Sequence, residues 1–170
     1  GGTSNVLAST YDIASGSWVT SSLTGRTVED VALTITTTGQ GVGLVRHTEL
    51  GSAQDNQLQY TTWNGASWAA LRALGPTVTT QGAPAITRAA TGARAVFHGF
   101  DFNHYFAAFD GTTWAPTAEP VTTFGPRAGT ITAFGPDSLF VYVRGPANEL
   151  QSRTRAGTAW SDDRTIDTGA

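Results

Sequence analysis

The sequence predicts an all-β fold, a β-propeller, because one motif recurs at a constant interval between short strands. The stretch at residues 60–68 contains Trp-Asn-Gly-x-x-Trp, and it recurs at residues 106–114 and, in weaker form, at residues 152–160. The copies lie 46 residues apart, and no segment between them shows a helical period. Four antiparallel strands in a period of about 40 to 50 residues is typical of propeller blades.

Each repeat is expected to contain four short strands joined by turns. In the third repeat, the predicted strands cover residues 84–88, 94–98, 104–109 and 114–118. Turn-forming pairs such as Asp110-Gly111 separate them, because glycine adopts positive φ without a Cβ clash. The tryptophan that ends each motif is expected to pack between neighbouring blades, where burial of its ring is worth roughly 2 to 3 kcal/mol.

The first copy of the motif is divergent, with Tyr11-Asp12 followed by Gly16-Ser17-Trp18. The residues before it match the third strand of a blade, so we expect this copy to lack its first two strands. We predict a single partial propeller domain over residues 1–170, with a half blade at 4–24 and full blades at about 28–75, 80–121 and 126–167. The composition of residues 50–54 predicts a loop inserted in the second copy.

Three and a half blades are too few to close a ring by themselves, since propellers typically have four to eight. An open ring leaves strand edges exposed, and exposed edges pair with other strands. We therefore expect the protein to be an oligomer, in which another copy of the chain or a second polypeptide completes the ring. A stable monomer in solution would contradict this expectation.

The composition excludes several classes of function. The 170 residues carry a formal net charge of −3 and no lysine, so no basic field is present to bind nucleic acid or a membrane surface. There are three histidines and no cysteine, and we expect neither a metal nor a cofactor. A chain without cysteine fits the outside of a bacterial cell, and we expect a secreted, extracellular protein.

The order that recurs from repeat to repeat is an apolar strand, Arg or His, a short polar turn, and then the tryptophan motif. The second copy runs Val45-Arg46, Asn56-Gln57-Leu58, residues 63–68 and Leu74-Gly75. This pattern resembles the blades of bacterial fucose-binding propeller lectins of the seven-bladed Photorhabdus type and, more loosely, tachylectin-like propellers. The resemblance covers nearly the whole chain. It implies a carbohydrate-binding protein without catalytic activity, whose glycan sites lie between adjacent blades.

Sugar recognition needs an aromatic face and planar hydrogen-bonding groups. Such residues recur at the ends of the predicted strands, although Trp63 is replaced by Phe109 and then by Arg155, so the sites are not expected to be equivalent. The candidate sugar contacts are Arg46, His98, Arg144, Asp101, Asn148, Trp63, Phe109 and Tyr105. The alternative is structural, because arginine, asparagine and aspartate also fix turns.

Residues 100–105 form the densest aromatic and polar cluster, which is either a ligand-contacting loop or a hairpin that packs on a partner chain. Asp162 and Asp163 are interpreted as a solvated edge. No motif selects a pair of catalytic carboxylates or a nucleophile. The sequence therefore favours a glycan-binding module and no enzyme, with two alternatives: a structural or protein-interaction propeller, and a fragment of a larger secreted enzyme.

Overall fold

The computed structural model describes residues 4–27, 31–49, 51–115, 118–145 and 148–167. Every regular element in these residues is a β-strand, and they contain no helix that could span a membrane. The strands are β1 Ser4–Asp12, β2 Ser17–Thr27, β3 Ala32–Ile35, β4 Gly41–Arg46, β5 Leu58–Trp63, β6 Arg72–Ala73, β7 Ala85–Ala89, β8 Gly92–His98, β9 Asn103–Phe109, β10 Glu119–Phe124, β11 Thr130–Phe134, β12 Asp137–Arg144, β13 Glu149–Ala156, β14 Ala159–Trp160 and β15 Arg164–Asp167.

The strands form four antiparallel sheets in chain order. Sheet 1 is the hairpin β1–β2, sheet 2 runs β3-β4-β5-β6, and sheet 3 runs β7-β8-β9-β10. Sheet 4 runs β11-β12-β13, with both β14 and β15 paired to β13. The first strands lie beside one another, β3 next to β7 and β7 next to β11. This arrangement confirms the predicted order of one half unit and three full units.

The cores lie between the sheets, because successive side chains of a strand point to opposite faces. Phe97 of β8 packs towards sheet 2, against Val42 and Leu44. Its neighbour Val96 packs towards sheet 4, against Phe140 and Ile131. Sheet 1 meets sheet 2 through a smaller cluster of Val6, Leu23 and Val45. Each full sheet with a neighbour on both sides is therefore buried on both faces.

The fourth strand of the third repeat differs from the prediction. It was expected at residues 114–118, but β10 runs from Glu119 to Phe124. Trp114 makes only an isolated bridge to Phe109 and is 6% exposed, so its ring is part of the core. After the Asp110 turn, whose carboxylate accepts the amides of Thr112 and Thr113, the chain contacts β9 through the Trp114 bridge and the bond from the Ala115 amide to the Ala108 carbonyl, and the regular ladder with β9 begins at Glu119. The predicted start of the second unit at residue 28 lies outside the described residues.

One turn conformation repeats at the same interval as the motif. Asn56, Phe102 and Asn148 follow one another at 46 residues and have φ angles of 62°, 63° and 57°. Asparagine tolerates this left-handed region better than other residues with a Cβ, whereas phenylalanine rarely adopts it. The backbone of the turn is thus repeated even where the side chain has changed.

Candidate functional site

The predicted site residues fall at two opposite ends of the sheets. Arg46, His98 and Arg144 end the second strands, at the turns that lead into the third strands. Trp63 and Phe109 lie at the far ends of those third strands. A strand such as β5, with six residues, spans about 17 to 20 Å. The structure therefore does not bring the two aromatic residues together with the arginines.

A cleft of about 510 Å³ lies between sheets 2 and 3, at the end that carries Arg46 and His98. We call it the Tyr105 cleft. It is lined by Pro76, Thr77, Val78, Thr79, Phe97, Gly99, Phe100, Asp101, Tyr105 and Ala118. One wall follows the fourth strand of sheet 2, and the other is the turn between β8 and β9. Two of the predicted site residues, Asp101 and Tyr105, thus lie in a single cleft between adjacent sheets.

Asp101 and Tyr105 form a fixed polar pair in this cleft. The Tyr105 hydroxyl donates to Asp101 Oδ2 at 2.6 Å, and Asn103 Nδ2 donates to the same oxygen at 2.9 Å. Burial alone would raise the pKa of Asp101, but these hydrogen bonds hold it below its usual value. The same bond to Asp101 raises the pKa of Tyr105. The cleft therefore presents an ionised carboxylate beside a protonated phenol at neutral pH.

The rest of the cleft supplies aromatic surface. Phe97 stacks on Tyr105 with ring centroids 5.6 Å apart and an interplanar angle of 16°. Phe100 is 52% exposed at the same turn. A Cβ on Gly99 would lie 2.6 Å from Asp101 Oδ1 and 2.7 Å from Tyr105 Cε2, so a larger residue there would displace the Asp101–Tyr105 pair. A carboxylate beside exposed aromatic surface can bind a ring that has both hydroxyls and an apolar face.

Comparisons with solved structures give several matches over most of the chain. A mutant of the Aleuria aurantia lectin in complex with α-methyl-L-fucoside matches with a TM-score of 0.63 and 20% identity, over 92% of this chain and 51% of that one. AofleA from Arthrobotrys oligospora matches with a TM-score of 0.65 and 11% identity, over 95% and 50%. A fucose lectin from Kordia zhangzhouensis in complex with methyl-fucoside matches with a TM-score of 0.53 and 14% identity, over 78% and 96%.

The likeness of these structures to the four side-by-side sheets decides the architecture. The chain has a β-propeller fold. It spans about half the length of the Aleuria and Arthrobotrys structures that it matches. Neither a model of a protein family nor a curated protein sequence matches the chain. Sheets 1 to 4 are therefore blades 1 to 4 of the propeller, and the described residues supply two strands of blade 1.

Two predicted sugar contacts have side chains buried inside the propeller. Phe109 is 2% exposed and packs on the Trp114 ring, with centroids 5.4 Å apart. His98 is also 2% exposed and lies between the rings of His104 and Phe102. Both side chains pack in the blades and do not face the Tyr105 cleft.

The arginines and Asn148 lie outside that cleft. Arg46 donates from Nε and Nη2 to Asn56 Oδ1, at 3.1 and 2.6 Å, and from Nη1 to the Gln81 carbonyl. It therefore links the turn of blade 2 to the segment that leads into blade 3. Arg144 and Asn148 are exposed at the corresponding turn of blade 4.

Trp63 is half-buried at the opposite end of the propeller, 5.7 Å from Trp68 between ring centroids. It lines a separate cleft of about 470 Å³ between blades 1 and 2, together with Tyr11 and Asp12. Among the described residues, no group of three His, Cys, Asp or Glu side chains could hold a metal ion.

The structure also contains polar contacts between blades that the sequence analysis missed. Glu119 of blade 3 accepts Arg155 Nη2 at 2.8 Å, and the Arg155 guanidinium lies 4.4 Å from the centroid of the Phe106 ring. A signal was present in the sequence, because Arg155 stands where the other repeats have Trp63 and Phe109. Glu119, which pairs with Phe106, stands where the second repeat has Arg72, which pairs with Tyr60.

Asp163 is also more than a solvated edge. It accepts hydrogen bonds from the Tyr142 hydroxyl at 2.6 Å and from Arg153 Nε. Arg153 Nη1 in turn donates to the Val121 carbonyl of blade 3 at 2.8 Å. This acid therefore helps to join the outer part of blade 4 to blade 3, whereas its neighbour Asp162 remains exposed.

Proposed function

We propose that the protein is a carbohydrate-binding propeller module, without catalytic activity, whose glycan sites lie between adjacent blades. The observation that carries the proposal is the Tyr105 cleft, in which an oriented carboxylate and exposed aromatic surface meet between blades 2 and 3. Lectin sites combine these two features, because sugar hydroxyls need fixed acceptors and the apolar face of the ring needs an aromatic partner.

Within the cleft, each group has a separate role. Asp101 accepts hydrogen bonds from sugar hydroxyls, and its bond to Tyr105 keeps it oriented and ionised. Phe100 offers its exposed ring to the apolar face of the sugar. A fixed acceptor costs less ordering on binding than a mobile one, which favours affinity.

The first ligand to test is an α-L-fucoside. Two of the similar propellers were solved with methyl-fucosides, and a second Aleuria aurantia structure holds Fucα1-6GlcNAc. The resemblance of the repeat to the Photorhabdus-type lectins points to the same class of sugar. We therefore assign the Tyr105 cleft to a deoxyhexose with an apolar face, of which L-fucose is the representative.

The test is a titration with methyl α-L-fucoside, in which binding is measured by calorimetry and by the NMR signals of the Tyr105 ring. Asp101→Asn should weaken binding by about tenfold or more, because a hydrogen bond to an ionised group is lost. The asparagine retains Oδ1, so the acceptor for the Asn103 amide is kept. Asp162→Asn is the matched control and should bind normally. Fucoside binding that is unchanged in Asp101→Asn would reject the assignment.

We also propose that other blades complete the ring, supplied by another copy of the chain or by a second polypeptide. Among the described residues β1 pairs only with β2, which leaves its other edge open. The face of this hairpin that points away from blade 2 carries large apolar side chains that are 48 to 67% exposed, namely Leu7, Tyr11 and Trp18. A face of this kind marks a contact surface between proteins.

Native mass spectrometry tests the completion of the ring. The wild-type protein should give a mass larger than the 17.7 kDa of one chain, and Trp18→Glu should shift it towards the monomer. The Asp162→Asn variant should retain the larger mass. A monodisperse monomer would overturn the proposal.

We place the module outside the cell, as the absence of cysteine and its glycan ligands suggest. Localisation of a tagged protein in its producing cell would test this, and retention in the cytoplasm would contradict it.

A further inference from the structure

We infer that a second cleft, between blades 1 and 2, binds a saccharide that carries a carboxylate. The inference rests on the proposed function, since it extends glycan binding to a chemically different site. We call it the His47 cleft. It has a volume of about 420 Å³, and its polar lining residues are Asn5, Ser22, Arg26, His47, Glu49 and Gln54.

The His47 cleft occupies the same place in the propeller as the Tyr105 cleft, one blade earlier. One wall of the His47 cleft is β2, the outermost strand of blade 1. The corresponding wall of the Tyr105 cleft is formed by residues 76–79, which follow the outermost strand of blade 2. The other wall is the turn between the second and third strands of the next blade. The two clefts are therefore successive inter-blade sites at one end of the molecule, and they differ in chemistry.

His47 is the residue that points to a ligand. It is 5% exposed, and neither ring nitrogen has a hydrogen-bond partner among the described residues. The Oε2 atom of Glu49 lies 3.5 Å from its Nε2. Buried polar groups in native proteins are nearly always paired. Apart from the contact with Glu49, the ring nitrogens lack a partner among the described residues, and His47 lines the cleft, so it is placed to bond a group that enters it.

The polar lining favours an acceptor-rich ligand. Arg26 offers up to five N–H donors, and Asn5, Gln54 and Ser22 can also donate, whereas Glu49 can only accept when ionised. A guanidinium binds a carboxylate through two parallel hydrogen bonds, a geometry that a neutral hydroxyl cannot match. The Tyr105 cleft, by contrast, has a carboxylate and aromatic rings but no cation in its lining. The chemistry therefore assigns the His47 cleft to an acidic sugar.

The loop that forms one wall is held in shape by its own hydrogen bonds. The Glu49 amide donates to Asp55 Oδ1 at 3.1 Å, and the Ser52 amide donates to the Glu49 carbonyl at 2.9 Å. The Thr48 amide donates to the Arg26 carbonyl at 2.9 Å and joins this loop to β2. The other repeats lack the inserted residues, so this wall belongs to blade 2 alone.

The experiment follows the three histidine Hε1 signals by NMR while D-glucuronate, D-glucose or D-glucose 6-sulfate is added to the full chain. D-Glucuronate should shift the His47 signal with saturation, and D-glucose at the same concentration should not. Arg26→Gln, at an exposed position, should weaken glucuronate binding at least tenfold. Equal binding of glucose, or unchanged binding in Arg26→Gln, would overturn the inference. Tighter binding of the sulfate ester would also overturn it and would reassign the cleft to sulfated sugars.

The same samples separate this inference from the proposed function. Methyl α-L-fucoside is read at Tyr105, and Asp101→Asn should leave glucuronate binding unchanged. A fucoside response at Tyr105 without a glucuronate response at His47 rejects only the acidic-sugar site. A glucuronate response at His47 without a fucoside response rejects only the assignment of the Tyr105 cleft.

Discussion

Trp160 donates its indole N–H to Glu119 across the boundary between blades 3 and 4, with Nε1 2.9 Å from Oε1. The second carboxylate oxygen of Glu119 accepts Arg155. The equivalent indole nitrogens of Trp68 and Trp114 are buried without a hydrogen-bond partner among the described residues. One carboxylate of blade 3 thus binds two side chains of blade 4. The equivalent tryptophans of blades 2 and 3 are held by packing alone among the described residues.

Glu119→Ala should destabilise the protein by about 1 to 2 kcal/mol, because it removes the acceptor of both Arg155 Nη2 and the Trp160 N–H. The partial exposure of Glu119 keeps the expected loss in free energy of unfolding at this modest level. Urea unfolding measures it. Glu119→Gln retains an acceptor for Trp160, and its free energy of unfolding should lie between those of the wild type and Glu119→Ala. Asp162→Ala should change stability by less than about 0.5 kcal/mol, and an equal loss in both alanine variants would refute the role of Glu119.

Phe102→Asn should stabilise the protein by roughly 0.5 to 1 kcal/mol, because asparagine adopts the left-handed region at lower cost than phenylalanine. The equivalent turns already carry Asn56 and Asn148 at this conformation. Thermal unfolding measures the gain. The control is Phe100→Asn in the same turn, at a residue without positive φ, which should give no gain. A stability loss in Phe102→Asn would mean that the ring contact with His98 outweighs the backbone strain.

Gly99→Ala should abolish fucoside binding in the Tyr105 cleft, because the new Cβ would meet Asp101 Oδ1 and the Tyr105 ring at less than 3 Å. Gly145 is the equivalent residue of blade 4, and a Cβ there would first meet Pro126 Cδ at 3.4 Å. Gly145→Ala should therefore bind methyl α-L-fucoside as the wild type does. Calorimetry on both variants, with circular dichroism to confirm folding, makes the comparison. Equal binding by both would place the sugar elsewhere.

The free energy of unfolding should fall below about pH 4 in part through Asp163. Burial would raise the pKa of this carboxyl, but hydrogen bonds from Arg153 and Tyr142 hold it below its usual value. A carboxyl whose pKa is lower in the folded state contributes stability above its unfolded pKa, near 3.9, and loses it as the pH falls through the folded value. Urea unfolding at pH 6 and pH 3 should show a smaller loss for Asp163→Asn than for the wild type. Asp162→Asn should behave as the wild type does.

The repeat predicted the architecture because spacing reports where strands and turns recur. The third strand of blade 3, predicted at residues 104–109, is β9 Asn103–Phe109. The fourth strand of blade 3 was predicted too early, because Trp114 has the β-propensity of a strand residue, but it makes only an isolated bridge to Phe109 and its ring packs in the core. Local propensity could not reveal that tertiary contact.

The site was predicted less completely, because two residues at equivalent positions of the repeat can differ in whether their side chains are buried or exposed. Asp101 and Tyr105 do share a cleft, whereas Phe109 and His98 occupy matching motif positions with buried side chains. The alternation of faces along β9 turns Phe109 towards blade 2. Contacts such as Glu119 with Arg155 join residues 36 positions apart in different blades, and only the folded chain brings them together.

The boundaries between adjacent blades, here called seams, differ in how many hydrophobic side chains they bury. Among the described residues, three buried hydrophobic side chains form the cluster where blade 1 meets blade 2, and eleven form the cluster at the next seam. Local opening requires less free energy where fewer apolar contacts are broken. The amide protons of β1 and β2 should therefore exchange with solvent well before those of β8 and β9. Since β2 is one wall of the His47 cleft, a bound sugar would act as a latch that slows this exchange.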